Sequence, residues 1–252
     1  QNYSQHDVTE LTVFLTKQLN PTLDTEIRDI RVLLDNHTVN DVTLQAAAVF
    51  YINPEELLEH HHHHILRMIL QCLSSEDRVR LLHTKLSVYG HTLLHLIARY
   101  DKTGETMKTV LELIREDQYY HLLSVQDSIQ LTTLHRVCGD NNSAAVLDVI
   151  MRLVTSEQTR YKLLQFPDSV GLTPLHYAAF NNATQAIRII ADSVSSHHLI
   201  HLLTITDKLL GHTPVQTAAL HGHQDAVKLL QEYHTTANLI VRALQQTDYT
   251  GK

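Results

Sequence analysis

Cysteine, proline, glycine and tryptophan are all scarce in this chain. Its 252 residues include two Cys, five Pro, seven Gly and no Trp. Cys72 and Cys138 show neither C-x-x-C spacing nor a disulfide framework, so both read as buried thiols of a reducing compartment. The expected location is therefore intracellular, in the cytoplasm or nucleus. Few Gly and Pro against many Leu, Ile and Ala exclude linkers and low-complexity tracts apart from one histidine run, and favour helix throughout. No stretch approaches the roughly 18 apolar residues of a membrane span, and the opening Gln1-Asn-Tyr-Ser has no signal-peptide pattern. The formal charge of −7 and the pI near 6.3 argue against nucleic acid, which needs a net basic footprint.

Catalytic motifs are missing too. There is no G-x-S-x-G, no P-loop and no H-E-x-x-H, and spacing puts no His beside either cysteine. The pairs Glu55-Glu56 and Glu76-Asp77 read as solvated carboxylates on turns or caps. Neither an enzyme nor a cofactor is expected. Five consecutive histidines, His60 to His64, invite a metal site, yet a run on one segment converges nowhere by itself, and the preceding Leu-Glu resembles a cloning tag. No metal site is assigned.

What the chain does contain is a period. Gly171-Leu-Thr-Pro-Leu-His-Tyr-Ala-Ala-Phe180 aligns with segments starting at Gly90, Leu131 and Gly211, putting His95, His135, His176 and Gln216 in one column spaced by 40, 41 and 40 residues. Asp41–Ala48 joins it through Gln45. A second column recurs in phase: Leu81-Leu82, Leu122-Leu123, Leu163-Leu164 and Leu202-Leu203. These pairs follow Ser/Thr/Asp clusters such as Ser74-Ser-Glu-Asp77 and Thr155-Ser-Glu-Gln158, which suit helix N-termini. Each unit is therefore expected to hold a short third helix. A fixed period of this size marks a solenoid, whose units bury their apolar faces against neighbours.

The G-x-T-P-L-H-x-A-A core resembles the ankyrin repeat, whose units stack a β-turn and two antiparallel helices at a period of about 33 residues. The longer units here, with an inserted helical turn, also look like those of the NF-κB inhibitor family at the level of architecture. The resemblance implies an all-α, ankyrin-like α-solenoid with an extra short helix per repeat. Thr173 and Thr213 fit the N-cap and Pro174 and Pro214 the first helical turn, while Ala178-Ala179 and Ala218-Ala219 let helices approach closely. By resemblance the motif histidines bond between neighbouring turns, so His95, His135 and His176 are assigned to stability rather than catalysis.

The expected organisation is one array. Residues 1–36 form a helical cap or partial repeat, followed by repeats at 37–82, 83–123, 124–164, 165–203 and 204–244, the first carrying an insertion around residues 53–64. Asp248-Tyr-Thr-Gly-Lys252 repeats the D-x-x-G opening of Asp168–Leu172, so 245–252 are expected to begin a truncated next repeat.

The resemblance further implies a non-catalytic module that binds a protein or an extended peptide through a concave face and its turn tips. Alternatives are a regulatory or targeting arm of a larger enzyme or channel, or a pathogen-effector ankyrin protein. A monomer is expected, without nucleic-acid or membrane partners. Carried over position by position, the binding residues are Val88, Tyr89, His91, Arg99 and Tyr100 in one unit and Ile129, Leu131 and Asp140 in the next. Val170, Leu172, Phe180 and Asn181 follow, then Leu209, His212, Leu220 and His221. The apolar tips Tyr89, Ile129, Val170 and Leu209 stand where exposed turns are ordinarily polar, which marks an interaction surface.

Overall fold

The computed structural model describes residue 70 and residues 74–85, 89–139 and 144–250, the last eight through their backbone. The expected cap at 1–36, most of the first repeat with its histidine run, Gln45, Cys72, Val88 and Asp140 lie outside the described residues. Every regular element among the described residues is an α-helix, so the fold is all-α. The helices are α1 Ser75–His83, α2 Leu93–Tyr100, α3 Glu105–Glu112, α4 Glu116–Leu123, α5 Thr133–Cys138 and α6 Ala144–Leu153. They continue with α7 Glu157–Leu164, α8 Pro174–Phe180, α9 Thr184–Asp192, α10 Ser196–Thr204, α11 Pro214–Leu220 and α12 Gln224–Thr250.

Their contacts sort them into three rows. In the first, α2 packs on α5, α5 on α8 and α8 on α11. In the second, α3 packs on α6, α6 on α9 and α9 on α12. The third has α1 on α4 and α4 on α7, with α10 packed against α12. The sequence explains why these segments are helical and which sides they bury. In α2, Leu93, Leu94, Ile97 and Ala98 are all buried, a spacing that puts them on one side of a helix. In α9, Ala186, Ile187, Ile190 and Ala191 do the same. Each Leu-Leu pair of the second column lies in a third-row helix and is buried. Burying one such leucine contributes about 1.5–3 kcal/mol.

Caps start these helices. Thr92, Thr132, Thr173 and Thr213 occupy the N-cap positions of the first row, and Pro174 and Pro214 the first turn, where no amide hydrogen is required. Ser74 and Ser156 cap α1 and α7, accepting from the backbone N–H of Asp77 at 3.1 Å and of Thr159 at 3.2 Å. Arginines staple the third row to its neighbours. Arg160 donates from Nε to the Ser193 carbonyl at 2.7 Å and from Nη1 to that of Val154 at 2.6 Å. Arg78 likewise reaches the carbonyls of Leu70 and Leu113.

Two expectations meet a different arrangement. Ala178, Ala179 and Ala218 are buried between first-row helices, whereas Ala219 is exposed, because no described helix stands beyond α11 in that row. The short third helix expected at the end of the 204–244 repeat is not formed separately, and no turn opens a next repeat at Asp248: α12 runs unbroken from Gln224 to Thr250. Polar residues along α12 hydrogen-bond back within it. Thr235 Oγ1 donates to the Gln231 carbonyl at 2.9 Å and Asn238 Nδ2 to that of His234 at 2.8 Å, both compatible with continuing helix.

Candidate functional site

The first-row helices are joined to the third row by turns, and one carboxylate organises each described turn. Asp168 Oδ1 accepts from the backbone N–H of Val170 at 2.9 Å and of Leu172 at 2.8 Å, while Asp168 N–H donates to the Leu172 carbonyl at 2.8 Å. Asp127 does the same for Ile129 and Leu131, and Asp207 for Leu209, Leu210 and His212. The second oxygen is used as well. Asp168 Oδ2 accepts from the Tyr177 hydroxyl at 3.0 Å and Asp127 Oδ2 from Arg136 Nη2 at 2.7 Å. Burial raises the Asp127 pKa, but Arg136 and the backbone amides of Leu131 and Ile129 outweigh it and leave the group below its ordinary value. Asp207 is lowered chiefly by the amide of Leu210.

Neighbouring turns bond to one another along the row. Ser128 N–H donates to the Tyr89 carbonyl at 2.9 Å, Ser169 N–H to that of Ile129 at 3.4 Å and Lys208 N–H to that of Val170 at 2.9 Å. The histidine column supplies a second lacing beneath. His95 Nε2 lies 2.9 Å from the Leu131 carbonyl, His135 Nε2 3.0 Å from that of Leu172, and His176 Nε2 3.1 Å from that of His212. On the other side of each ring, Nδ1 accepts from the backbone N–H of the capping Thr92, Thr132 or Thr173. These partners fix the neutral tautomer with the proton on Nε2. Burial lowers the pKa of His95 and of His135 to about 4 and lowers that of His176 too, so all three are neutral near pH 7.

This framework carries a run of apolar side chains in solvent. Tyr89 is 68% exposed, Ile129 56% and Leu209 70%. Phe180 and Leu220, at the ends of α8 and α11, are also exposed, and the Phe180 ring lies 4.3 Å from that of His221, centroid to centroid. Arg99 is exposed and stands 5.4 Å from the centre of the Tyr100 ring. Val170, Leu172, Tyr100, Asn181 and His212 are half-buried, and His221 is exposed. The Asn181 side chain donates from Nδ2 to the Tyr177 carbonyl at 2.9 Å.

Two expected contact residues are employed otherwise. Leu131 is only 4% exposed: it sits at the base of its turn, its N–H bound to Asp127 and its carbonyl to His95. The structure thus removes Leu131 from the surface. His91 is half-buried, with Nε2 2.8 Å from Arg136 Nη2, and burial followed by the Arg136 charge lowers its pKa.

No known protein family matches this chain, and no curated protein is similar enough to count as a relative.

Sequence reasoning missed Asp127, Asp168 and Asp207 as turn organisers and Arg136 as the partner of Asp127. A signal for the aspartates was present: they recur at intervals of 41 and 39 residues, eight or nine positions before the His or Gln column. One further concavity lies along the turn edge. Tyr120, Phe166, Pro167, Lys162, His201 and Lys208 are among the residues lining a cavity of about 490 Å³. Among the described residues no group of His, Cys, Asp or Glu side chains converges to hold a metal ion, and no helix is long and apolar enough to cross a membrane. Cys138 is fully buried, and burial pushes its thiol pKa up, so it offers no thiolate near pH 7.

Proposed function

We propose that the chain is an ankyrin-like α-solenoid acting as a non-catalytic binding module, which takes an extended peptide segment of a partner protein across its first-row helices and turn tips. The observation that carries this reading is the row of apolar tips Tyr89, Ile129, Val170 and Leu209 on four turns hydrogen-bonded one to the next, of which Tyr89, Ile129 and Leu209 are exposed and Val170 is half-buried. Single exposed apolar residues are ordinary, but a row of them on a rigid framework is a surface awaiting cover. The histidines, aspartates and Arg136 beneath belong to the framework, because each is engaged by a backbone or side-chain partner within it. The solenoid reading rests on the order of helix contacts, in which each row meets the same row of the next unit.

The test is selection from a display library of random peptides on the full chain, beside a Tyr89→Ala, Ile129→Ala, Phe180→Ala, Leu209→Ala variant that retains its helical circular dichroism. Peptides retained by the parent and lost by the variant are expected. Equal retention by both, or none by either, contradicts the assignment.

A further inference from the structure

We infer that the segment taken by this face is acidic, with an apolar side chain at about every third residue; this rests on the binding-module reading above. Charge is unevenly distributed over the three rows. Among residues whose side chains are described, the first-row helices and turns hold four carboxylates, and all are buried: Asp101 is 2% exposed, Asp127 5%, Asp168 3% and Asp207 8%. Their oxygens are occupied by the chain itself. Asp101 accepts from the backbone amides of Thr103, Gly104 and Met107, and the other three hold the turns. The charged groups that reach solvent on this face among the described residues are all cationic: Lys85, Arg99, Lys102 and Lys208 are exposed, and Arg136 is part-exposed in its pair with Asp127.

All other described carboxylates lie on the two remaining rows. The second row has Glu105, Glu112, Asp148, Asp192, Asp225 and Glu232. The third has Glu76, Asp77, Glu116, Asp117 and Glu157. A chain with a formal charge of −7 thus shows a ligand on its first-row face no exposed acid among the described residues. Lys208 also lines the 490 Å³ cavity, whose other ionisable side chains, Lys162, His201 and Tyr120, include no carboxylate. An acidic segment meets complementary charge along this edge, and a basic one meets only like charge.

First-row helices pack side by side, and packed helices lie about 8–10 Å apart. A polyproline-II chain advances about 3.1 Å per residue with three residues per turn, so every third side chain faces the same way at about the spacing of neighbouring tips. Arg99 and Lys102 belong to the unit of Tyr89 and Lys208 directly precedes Leu209, so acidic residues between the apolar ones meet a cation near both ends of the row. A nucleic acid would find the same cations, but its stacked or solvated bases gain little from Ile129 and Leu209.

The experiment uses the full chain and three fluorescent probes of about fifteen residues, long enough to cross the tips at this rise: repeats of Val-Glu-Glu, Val-Gln-Gln and Val-Lys-Lys, with an oligothymidylate of similar length as a fourth. Fluorescence anisotropy is expected to show Val-Glu-Glu binding at least about tenfold tighter than Val-Gln-Gln. That preference should shrink as salt rises from about 50 to about 300 mM. An Arg99→Glu, Lys208→Glu variant should abolish the preference while still binding Val-Gln-Gln, and Lys228→Glu, on the second row, should leave it intact.

Equal binding of Val-Glu-Glu and Val-Gln-Gln, both lost in the tip-to-alanine variant, overturns the acidic preference and leaves the module standing. Tighter binding of Val-Lys-Lys or of the oligothymidylate also overturns it. If no peptide binds the parent better than the tip-to-alanine variant, both readings fall.

Discussion

Acid should loosen this fold well before its carboxylates titrate, because the histidine lacing works only in the neutral state. His95 and His135 have pKa values of about 4 when folded, against about 6.5 in an unfolded chain. A lowered histidine pKa means that the unfolded chain binds the proton first. Stability is therefore full above about pH 6.5 and is lost as pH falls towards 4. At about pH 5 the loss amounts to about 2 kcal/mol for each of the two rings, and by pH 4 it approaches about 3. His176, His83 and His91, also lowered by burial, act in the same direction. Carboxylates do not confuse the window: Asp127 and Asp207 are held below their ordinary range, and the Ser195 amide together with His198 holds Glu157 at about 2.

The assay is urea unfolding followed by circular dichroism between about pH 7.5 and 5, run on the parent and on His135→Gln. Glutamine is a fair replacement, since Gln216 fills the same column and its Oε1 accepts from Thr213 N–H at 2.9 Å. The variant should lose about 1–2 kcal/mol at pH 7.5 from an imperfect cross-unit bond, yet its fall towards pH 5 should be shallower than the parent's by about 2 kcal/mol. A parent whose stability is flat or rises towards pH 5, or a variant with the parent's slope, refutes the reasoning.

Two further perturbations probe the turns. Gly171 has φ +88°, and a Cβ there would lie 2.8 Å from both the backbone N and the Cγ of Lys208, whereas Gly211, at φ +70°, has open space. Gly211→Ala should cost about 1–2 kcal/mol for left-handed backbone alone and Gly171→Ala distinctly more, both read by thermal unfolding. Gln130 occupies the same column at φ +65° without being glycine, so Gln130→Gly should stabilise by up to about 1 kcal/mol; a loss would contradict the strain argument. Asp168→Ala strands the amides of Val170 and Leu172 and the Tyr177 hydroxyl, a cost of about 2–4 kcal/mol by urea unfolding, while Asp168→Asn keeps one acceptor and should retain about half of that. Equal effects from both would place the stabilisation in charge rather than in hydrogen bonds.

What the sequence made legible was whatever repeats in side-chain type. The His and Leu-Leu columns, the Thr caps and the Pro starts recur at fixed positions, and the chain places each in a first-row or third-row helix. Less legible were features made by the backbone. The left-handed φ that Gly90, Gly171 and Gly211 supply is hidden at Gln130, where the residue type changes and the conformation does not. Leu131 read as a surface residue because spacing along a turn does not say which way a side chain points. The unbroken run of α12 has a similar origin: the period of the earlier units predicts a third helix, and the side chains of Thr235 and Asn238 instead bond back to carbonyls four residues earlier within a continuing helix. On the candidate surface, exposure of Tyr89, Ile129, Phe180, Leu209 and Leu220 followed from their place in the unit, whereas the occupied state of His91 depended on Arg136 in the neighbouring unit.

A bound peptide should cover the first-row face of the molecule and no other. Amide hydrogen exchange with and without a saturating Val-Glu-Glu peptide measures that directly. Slower exchange is expected in the turn-tip segments around Tyr89, Ile129, Val170 and Leu209 and in the ends of α2, α8 and α11, with the second-row helices α3, α6 and α9 unchanged. Protection confined to the third row or to α12, with the tips unaffected, would contradict it.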